Sequence, residues 1–301
     1  LHGQKKKVGY LREDHMPITN KNNLPNFLVK SVEFWSQHHD SQADYSATQL
    51  LSPPRIIALS KQYSDQIEED ASDRIFSLLG SATHKVVESA IEFDPDENLV
   101  SEKRMFATLD GVTISGQCDV YDIAEKTIYD LKTASVWEII FGVREEREQQ
   151  LNIYAWLGVQ EGWEVDNIAA AFILRDWSKT KAMTEPNYPK SQVVVYPIPR
   201  WTDEQVEDFL RKRIRLHEAA KTSLPYCTPE EQWVRPTKYA VVSKGRKSAH
   251  RLADSHQEAQ AWINKNKKGD SIEERIGAAI RCESYCAVQP FCTQYSAMKG
   301  R

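Results

Sequence analysis

Two short apolar runs, residues 111–121 and 127–131, flank the polar triplet Ala124, Glu125 and Lys126, which is the pattern of a β-hairpin. Successive side chains on a strand point to opposite faces, so Asp130 and Lys132 share one face while Tyr129 and Leu131 share the other. Residues 65–89 carry apolar positions at Ile75, Phe76, Leu78, Leu79, Val86 and Val87 and predict one or two helices, with Gly80 allowing close packing or a break. Residues 168–174 and 193–198 are short, apolar and bounded by polar turns, so two more buried strands are expected. Thr202 followed by Gln205 is a capping-box pattern opening an amphipathic helix to about Ala220, and Ser255 followed by Glu258 opens another to Lys265. Nearer the start, residues 27–35 predict a short helix. Ser46 is a cap candidate for the apolar run 46–59, which Pro53 and Pro54 interrupt. Residues 1–30, rich in Lys, Asn and Pro, predict an irregular arm. The order helix, hairpin, helix, strand, strand is that of an α+β fold with a central mixed sheet flanked by helices, not of a regular βαβ array.

With 301 residues and 41% hydrophobic content, the chain is long enough for one main domain with a substantial core. The expected division is an arm at 1–44, a core at 45–225 and a cysteine-bearing segment at 226–301. No apolar run has the length of a membrane span. Residues 1–7 are polar and basic with no apolar core behind them, so no secretory signal is expected. A first residue of Leu points to a native start further upstream. The formal net charge is −4, which leaves a nucleic-acid partner open because the local field at a groove matters more than the total.

The hairpin also carries the candidate chemistry. Asp119 on the first strand and Asp130 on the second offer the oxygen ligands that magnesium or manganese prefers. Lys132 then supplies a cation that orients water or balances charge on a phosphate. A hairpin with a solvated polar face fits the same residues. Upstream, His84 and Glu88 are four apart on a helix and share a face. Downstream, Gln150 and Tyr154 repeat that spacing.

The order Gly80-x-x-x-His84-x-x-x-Glu88, then Asp119, then Asp130-x-Lys132, then Gln150-x-x-x-Tyr154 resembles the PD-(D/E)xK nuclease superfamily. Within it the chain is similar to the branch of the RecB and AddB nuclease domains, Cas4 and phage exonucleases, over roughly residues 45–175. The resemblance implies a restriction-endonuclease-like core. It also implies His84, Asp119 and Asp130 as metal ligands, Lys132 as the catalytic lysine, Glu88 as support for His84, and Gln150 and Tyr154 as residues that pack by the site and help hold DNA.

Four of the five cysteines, Cys227, Cys282, Cys286 and Cys292, lie in the C-terminal quarter. Their number and clustering suit a four-thiolate site for zinc or an iron-sulfur cluster. Cys118 is expected to be a small packing residue. Cas4-like and AddB-like relatives hold a 4Fe-4S cluster with one distant and three C-terminal cysteines, so the resemblance favours iron. This chain departs from them at Ser52, where relatives often place a Cys before proline, and at Cys227, which follows the core. Between the cysteines, residues 235–251 predict a strand, a Lys-Gly turn and a basic run in which Lys244, Arg246 and Lys247 suit backbone phosphates.

The expectation is a divalent-metal-dependent DNA exonuclease in a reducing cytoplasm, that of a bacterium or a phage-infected host. It would process ends for recombination or replication beside a protein partner of those pathways. A structure-specific or restriction-type endonuclease of the same superfamily is the alternative within the class. A non-catalytic DNA-binding module with a structural metal is the alternative outside it, and it has no need of Asp119, Asp130 and Lys132 together. A zinc hydrolase of small molecules would need a His-rich ligand set that the sequence lacks.

Overall fold

The computed structural model describes residues 18–35, 42–93 and 97–299 of the chain, so positions 1–17 and 36–41 of the expected arm lie outside the described residues. The chain divides into two units. One holds Leu1–Ser52 with Ser64–Thr222, and the other holds Pro53–Tyr63 with Ser223–Arg301.

The first unit opens with β1 (Ile18–Thr19) and α1 (Asn26–Trp35), then β2 (Tyr45–Ser46) and α2 (Ala47–Leu51). Part of the expected irregular arm is therefore regular. The Ser46 side chain accepts the N–H of Gln49 and the Gln49 side chain takes that of Ser46, a full capping box contributing about 1 kcal/mol. Pro53 ends this stretch, and α3 (Pro54–Gln62) belongs to the second unit. The chain re-enters the first unit at β3 (Glu69–Asp70), parallel to β1, followed by a 3-10 turn and α4 (Ile75–Phe93). The helix expected over 65–89 thus begins later and runs further. Asp70 accepts the Ser72 N–H and caps the 3-10 turn, which delays the start. Gly80 lies inside one continuous helix and marks no break.

Next come β4 (Leu99–Leu109), β5 (Val112–Asp122), β6 (Thr127–Ala134), α5 (Val136–Ile140), α6 (Glu145–Gln160), β7 (Asn167–Leu174), α7 (Lys179–Thr184), β8 (Val193–Ile198) and α8 (Asp203–Ala220). β5 runs antiparallel to both β4 and β6, β7 runs parallel to β6, β8 antiparallel to β7, and β2 lies parallel to β5. This is the mixed sheet of an α+β fold with helices around it. β4, absent from the sequence reading, joins β5 through Asp110 and Gly111, whose φ values of 49° and 82° suit a two-residue hairpin turn.

α6 is buried from Gln150 to Gly158, and it lies against β5 at Gly116. A Cβ there would sit 2.6 Å from Leu157 Cδ1 and 2.9 Å from the Tyr154 ring, so only glycine admits the helix this closely. Ile114, Ile128, Leu151, Trp156, Leu157 and Phe172 are fully buried in this core, each worth about 1.5–3 kcal/mol of transfer free energy. Cys118 joins them as the expected packing residue. Thr202 and Gln205 form the predicted capping box on α8.

The second unit combines α3 with a three-stranded antiparallel sheet of β9 (Lys238–Val242), β10 (Arg251–Ala253) and β11 (Ser271–Arg275), in the order β10-β9-β11. α9 (His256–Asn266) packs on this sheet through Ala259 against Val241 and Ala253. Ser255 accepts the N–H of Glu258, but the Glu258 carboxylate takes the N–H of Asp254, so only half of the expected box forms. α10 (Ile280–Ser284) and α11 (Thr293–Lys299) carry the cysteine region to its end. Among the described residues no helix is long and apolar enough to cross a membrane.

Candidate active site

β5 and β6 part company after the pair Val120 and Tyr129. One step further, the side chain of Asp119 replaces the missing ladder bond, its Oδ2 accepting the N–H of Leu131 at 2.5 Å. The burial rhythm of β5 also changes phase here, with Ile114, Gly116 and Cys118 buried before Asp119 and Tyr121 after it. Opposite Asp119 in the register of β4, Glu102 has a left-handed φ of 49°, a conformation that costs a non-glycine residue on the order of 1–3 kcal/mol and gathers at functional sites.

α4 delivers His84 to this point. Gly80, one turn earlier, places its would-be Cβ 3.6 Å from Thr133 Oγ1, so the helix rides close over β6. His84 Nδ1 lies 3.3 Å from Asp119 Oδ1 and 3.3 Å from Glu102 Oε1. Donor atoms of His84, Glu102 and Asp119 all fall within 4.8 Å of one another. Glu102 is itself held, since its Oε2 accepts from Gln117 Nε2 at 2.6 Å and Gln117 Oε1 accepts from Arg104 at 2.6 Å.

Asp130 and Lys132 share a face as the alternation predicts, and the lysine Nζ donates to Asp130 Oδ1 at 2.6 Å. Asp130 is 1% exposed, and its Oδ2 has no hydrogen-bond partner. A buried carboxylate oxygen without a donor is the kind of atom a cation or an ordered water satisfies. Burial pushes the Asp130 carboxyl upward and the charge of Asp119 adds to this, while the Lys132 ammonium opposes it. His84 is raised to about 10, first by its hydrogen bond to Asp119 and then by the one to Glu102. One imidazole nitrogen and several carboxylate oxygens form a donor set suited to magnesium and still better to manganese.

Gln150 Nε2 donates to Tyr154 Oη at 2.7 Å and both side chains are buried. Burial raises the Tyr154 hydroxyl, with Asp130 the next contributor. The pair is buried close to Asp130, which fits the expected packing by the site. Glu88 departs from expectation. Its carboxylate is taken by Lys85 Nζ at 2.9 Å, three residues back on the same helix, and Glu102 meets His84 in its place. Glu102 escaped the sequence reading because its partners come from across the sheet; the Asp110-Gly111 turn was the signal that could have exposed β4.

In the second unit, Cys227, Cys282, Cys286 and Cys292 line one cavity together with Arg55 and Tyr295. None forms a disulfide. The Cys227 thiol is pushed up to about 12, chiefly by burial, then by Glu231 and the other three cysteines. Burial likewise raises Cys282 and Cys286. Gln294 clasps the main chain of Cys227, accepting its N–H at 2.8 Å and donating to its carbonyl at 2.9 Å. Lys244, Arg246 and Lys247 are exposed on the turn after β9, where Gly245 has a φ of 81°.

Against solved structures, the chain is similar to the crystal structure of SSO0001, at 18% identity and a TM-score of 0.44, over 63% of this chain and 84% of that one. It is also similar to a phage related exonuclease from Haemophilus somnus 129PT, at 16% identity and a TM-score of 0.33, over 56% of this chain and 78% of that one. No protein-family model and no curated protein matches the sequence.

Proposed function

We propose that the protein is a divalent-metal-dependent deoxyribonuclease that hydrolyses phosphodiester bonds at DNA ends, in recombination or replication. The observation that carries this reading is the convergence of His84, Glu102 and Asp119 within 4.8 Å on the hairpin that also presents Asp130 with an unpartnered oxygen and Lys132 beside it. His84, Glu102, Asp119 and the free oxygen of Asp130 would hold magnesium or manganese, which supplies charge neutralisation at the scissile phosphate. Lys132, steered by Asp130, presents its ammonium where it orients the attacking water or balances charge on the phosphate as the P–O bond to the leaving sugar oxygen breaks. The Leu131 N–H and the Arg104–Gln117 pair fix the two outer carboxylates, so little reorganisation is needed when substrate arrives. The preference for ends rests on the resemblance of the motif order to RecB-like and phage exonucleases.

The decisive measurement is a time course on end-labelled linear and closed circular DNA, with and without Mg2+ or Mn2+. Metal-dependent loss of the linear substrate alone supports the reading. Cleavage of the circle replaces it with the endonuclease alternative, and no cleavage of either DNA leaves the non-catalytic module.

We further propose that the four cysteines hold a 4Fe-4S cluster. Their enclosure of one cavity supports a shared group. The choice of iron over zinc rests on the resemblance to Cas4-like and AddB-like relatives, since four thiolates suit either group. Iron and acid-labile sulfide analysis of anaerobically purified protein tests it, and stoichiometric zinc without iron would reject it.

A further inference from the structure

Arg55, on the first turn of α3, is 3% exposed. Its guanidinium makes four hydrogen bonds: Nε to Cys292 Sγ at 3.3 Å, Nη1 to the carbonyls of Leu224 at 3.4 Å and Pro225 at 3.2 Å, and Nη2 to Thr293 Oγ1 at 2.7 Å. The Tyr226 ring lies 5.5 Å from its centre. Among the described residues no carboxylate forms an ion pair or hydrogen bond with it. A buried cation without a counter-charge is strongly disfavoured, and buried charges are found paired or beside metal centres. The cavity that Arg55 lines also holds Glu231, whose carboxylate accepts the Thr228 N–H, and four sulfurs, one of which already accepts the Arg55 Nε–H directly.

We infer that Arg55 is the charge-balancing donor of the cysteine site, holding Cys292 by an N–H···S bond and raising the reduction potential of the iron group bound there. This rests on the four-cysteine iron reading above. A core ligated by four thiolates is anionic and becomes more so on reduction, so a fixed guanidinium beside one sulfur stabilises the reduced form more than the oxidised one. Hydrogen bonds to sulfur and local charge are recognised levers on such potentials. The neighbours of Arg55 also explain why arginine serves here. Its planar fork reaches two carbonyls, a hydroxyl and a thiol at once, which a lysine ammonium cannot do.

The test is an anaerobic redox titration of the full chain, followed by absorbance at roughly 400 nm, for the wild type, Arg55→Lys and Arg55→Met. Iron content and circular dichroism are recorded first. In Arg55→Met the ratio of reduced to oxidised group at a fixed potential should fall at least tenfold, which is 59 mV for a one-electron couple. Arg55→Lys keeps the charge but not the fork and should shift the same way by less. If Arg55→Met fails to fold, Arg55→Lys decides, and iron loss from either variant with the fold retained supports the role. A wild-type midpoint in a folded, iron-loaded variant overturns the inference. Iron-free wild-type protein is a separate result, which removes the iron reading itself before any variant is titrated.

Discussion

Asp119 divides its two oxygens between structure and chemistry: Oδ2 accepts the N–H of Leu131 at 2.5 Å, and Oδ1 faces His84 Nδ1 at 3.3 Å. The first bond replaces a rung of the sheet where β5 and β6 diverge. The carboxylate is thereby aimed by the backbone, before any ion is present. A site preorganised in this way responds to substitution in a manner that separates ligands from their supports.

Asp119→Ala and Asp130→Ala should each abolish cleavage while DNA binding persists, because each removes a carboxylate from the ion and leaves phosphate contacts alone. Lys132→Ala should lose roughly 10²–10⁴-fold in rate, the range for a group that moves or steadies a proton, and should still bind metal. Single-turnover cleavage and a filter-binding isotherm check both halves. Full activity in any of the three variants removes that residue from the site.

Glu102→Gln should raise the Mn2+ concentration needed for half-maximal activity, since a neutral amide replaces one anionic ligand. His84→Ala should do the same. Glu88→Ala should leave the metal titration unchanged and alter stability by no more than about 0.5 kcal/mol, as expected for an exposed Lys–Glu pair. A Glu88 variant that needs more metal while Glu102→Gln does not would reverse the assignment.

Gly116→Ala places a methyl 2.6 Å from Leu157 Cδ1 and 2.9 Å from the Tyr154 ring. Both neighbours are buried, so α6 must shift, at a cost of about 1–3 kcal/mol. Urea denaturation should show this as a lower midpoint with an unchanged slope. An unaffected midpoint would mean that the helix has room to move.

In chelator-treated protein, His84 has a folded value of about 10 against an ordinary 6.5. The native state therefore holds a proton that the unfolded chain has released between those values. Stability from this contact is complete below about pH 6.5 and is lost as pH rises through 10. Wild-type protein should lose more stability than His84→Gln between pH 6.5 and pH 9.5. Mn2+ should bind more tightly over the same interval, because the ion must displace that proton. Parallel pH profiles for the two proteins would detach His84 from the carboxylates.

Cys286→Ala should strip the metal from the second unit and open it to proteolysis after about Cys227, through loss of the constraint that ties residues far apart in the chain. The first unit's metal titration should be unaffected. Retained metal and an unchanged digestion pattern would make the thiols incidental.

The hairpin of β5 and β6, the strands β7 and β8, and the capping box on α8 were all legible because period-two alternation and local capping chemistry are properties of neighbouring residues. The shared face of Asp130 and Lys132 was legible for the same reason. β4 was not. Its centre, Glu102-Lys103-Arg104, is polar and reads as surface. Glu102 becomes part of the site only through its left-handed backbone and its place across from Asp119. Glu88 was misplaced by a helical spacing that fits geometry but ignores competition, since Lys85 is an equally near neighbour that carries a full charge. The buried setting of Gln150 and Tyr154 likewise depends on α6 lying against Gly116, a close approach that no local pattern announces.

α3 is made early and completed late. Its first-turn residue Arg55 has its acceptors at Leu224, Pro225, Cys292 and Thr293, and Tyr63 just after it stacks on Phe291 at 4.4 Å. On a ribosome adding about 5–20 residues per second, this helix waits roughly 10–50 s before its partners exist. Until those partners emerge, an amphipathic segment stays exposed on a nascent chain whose central sheet is complete only once β8 has been made. Binding by a holdase chaperone would accordingly be sought first at residues 53–63, and a stop codon anywhere before the final cysteine would strand that segment for the life of the protein.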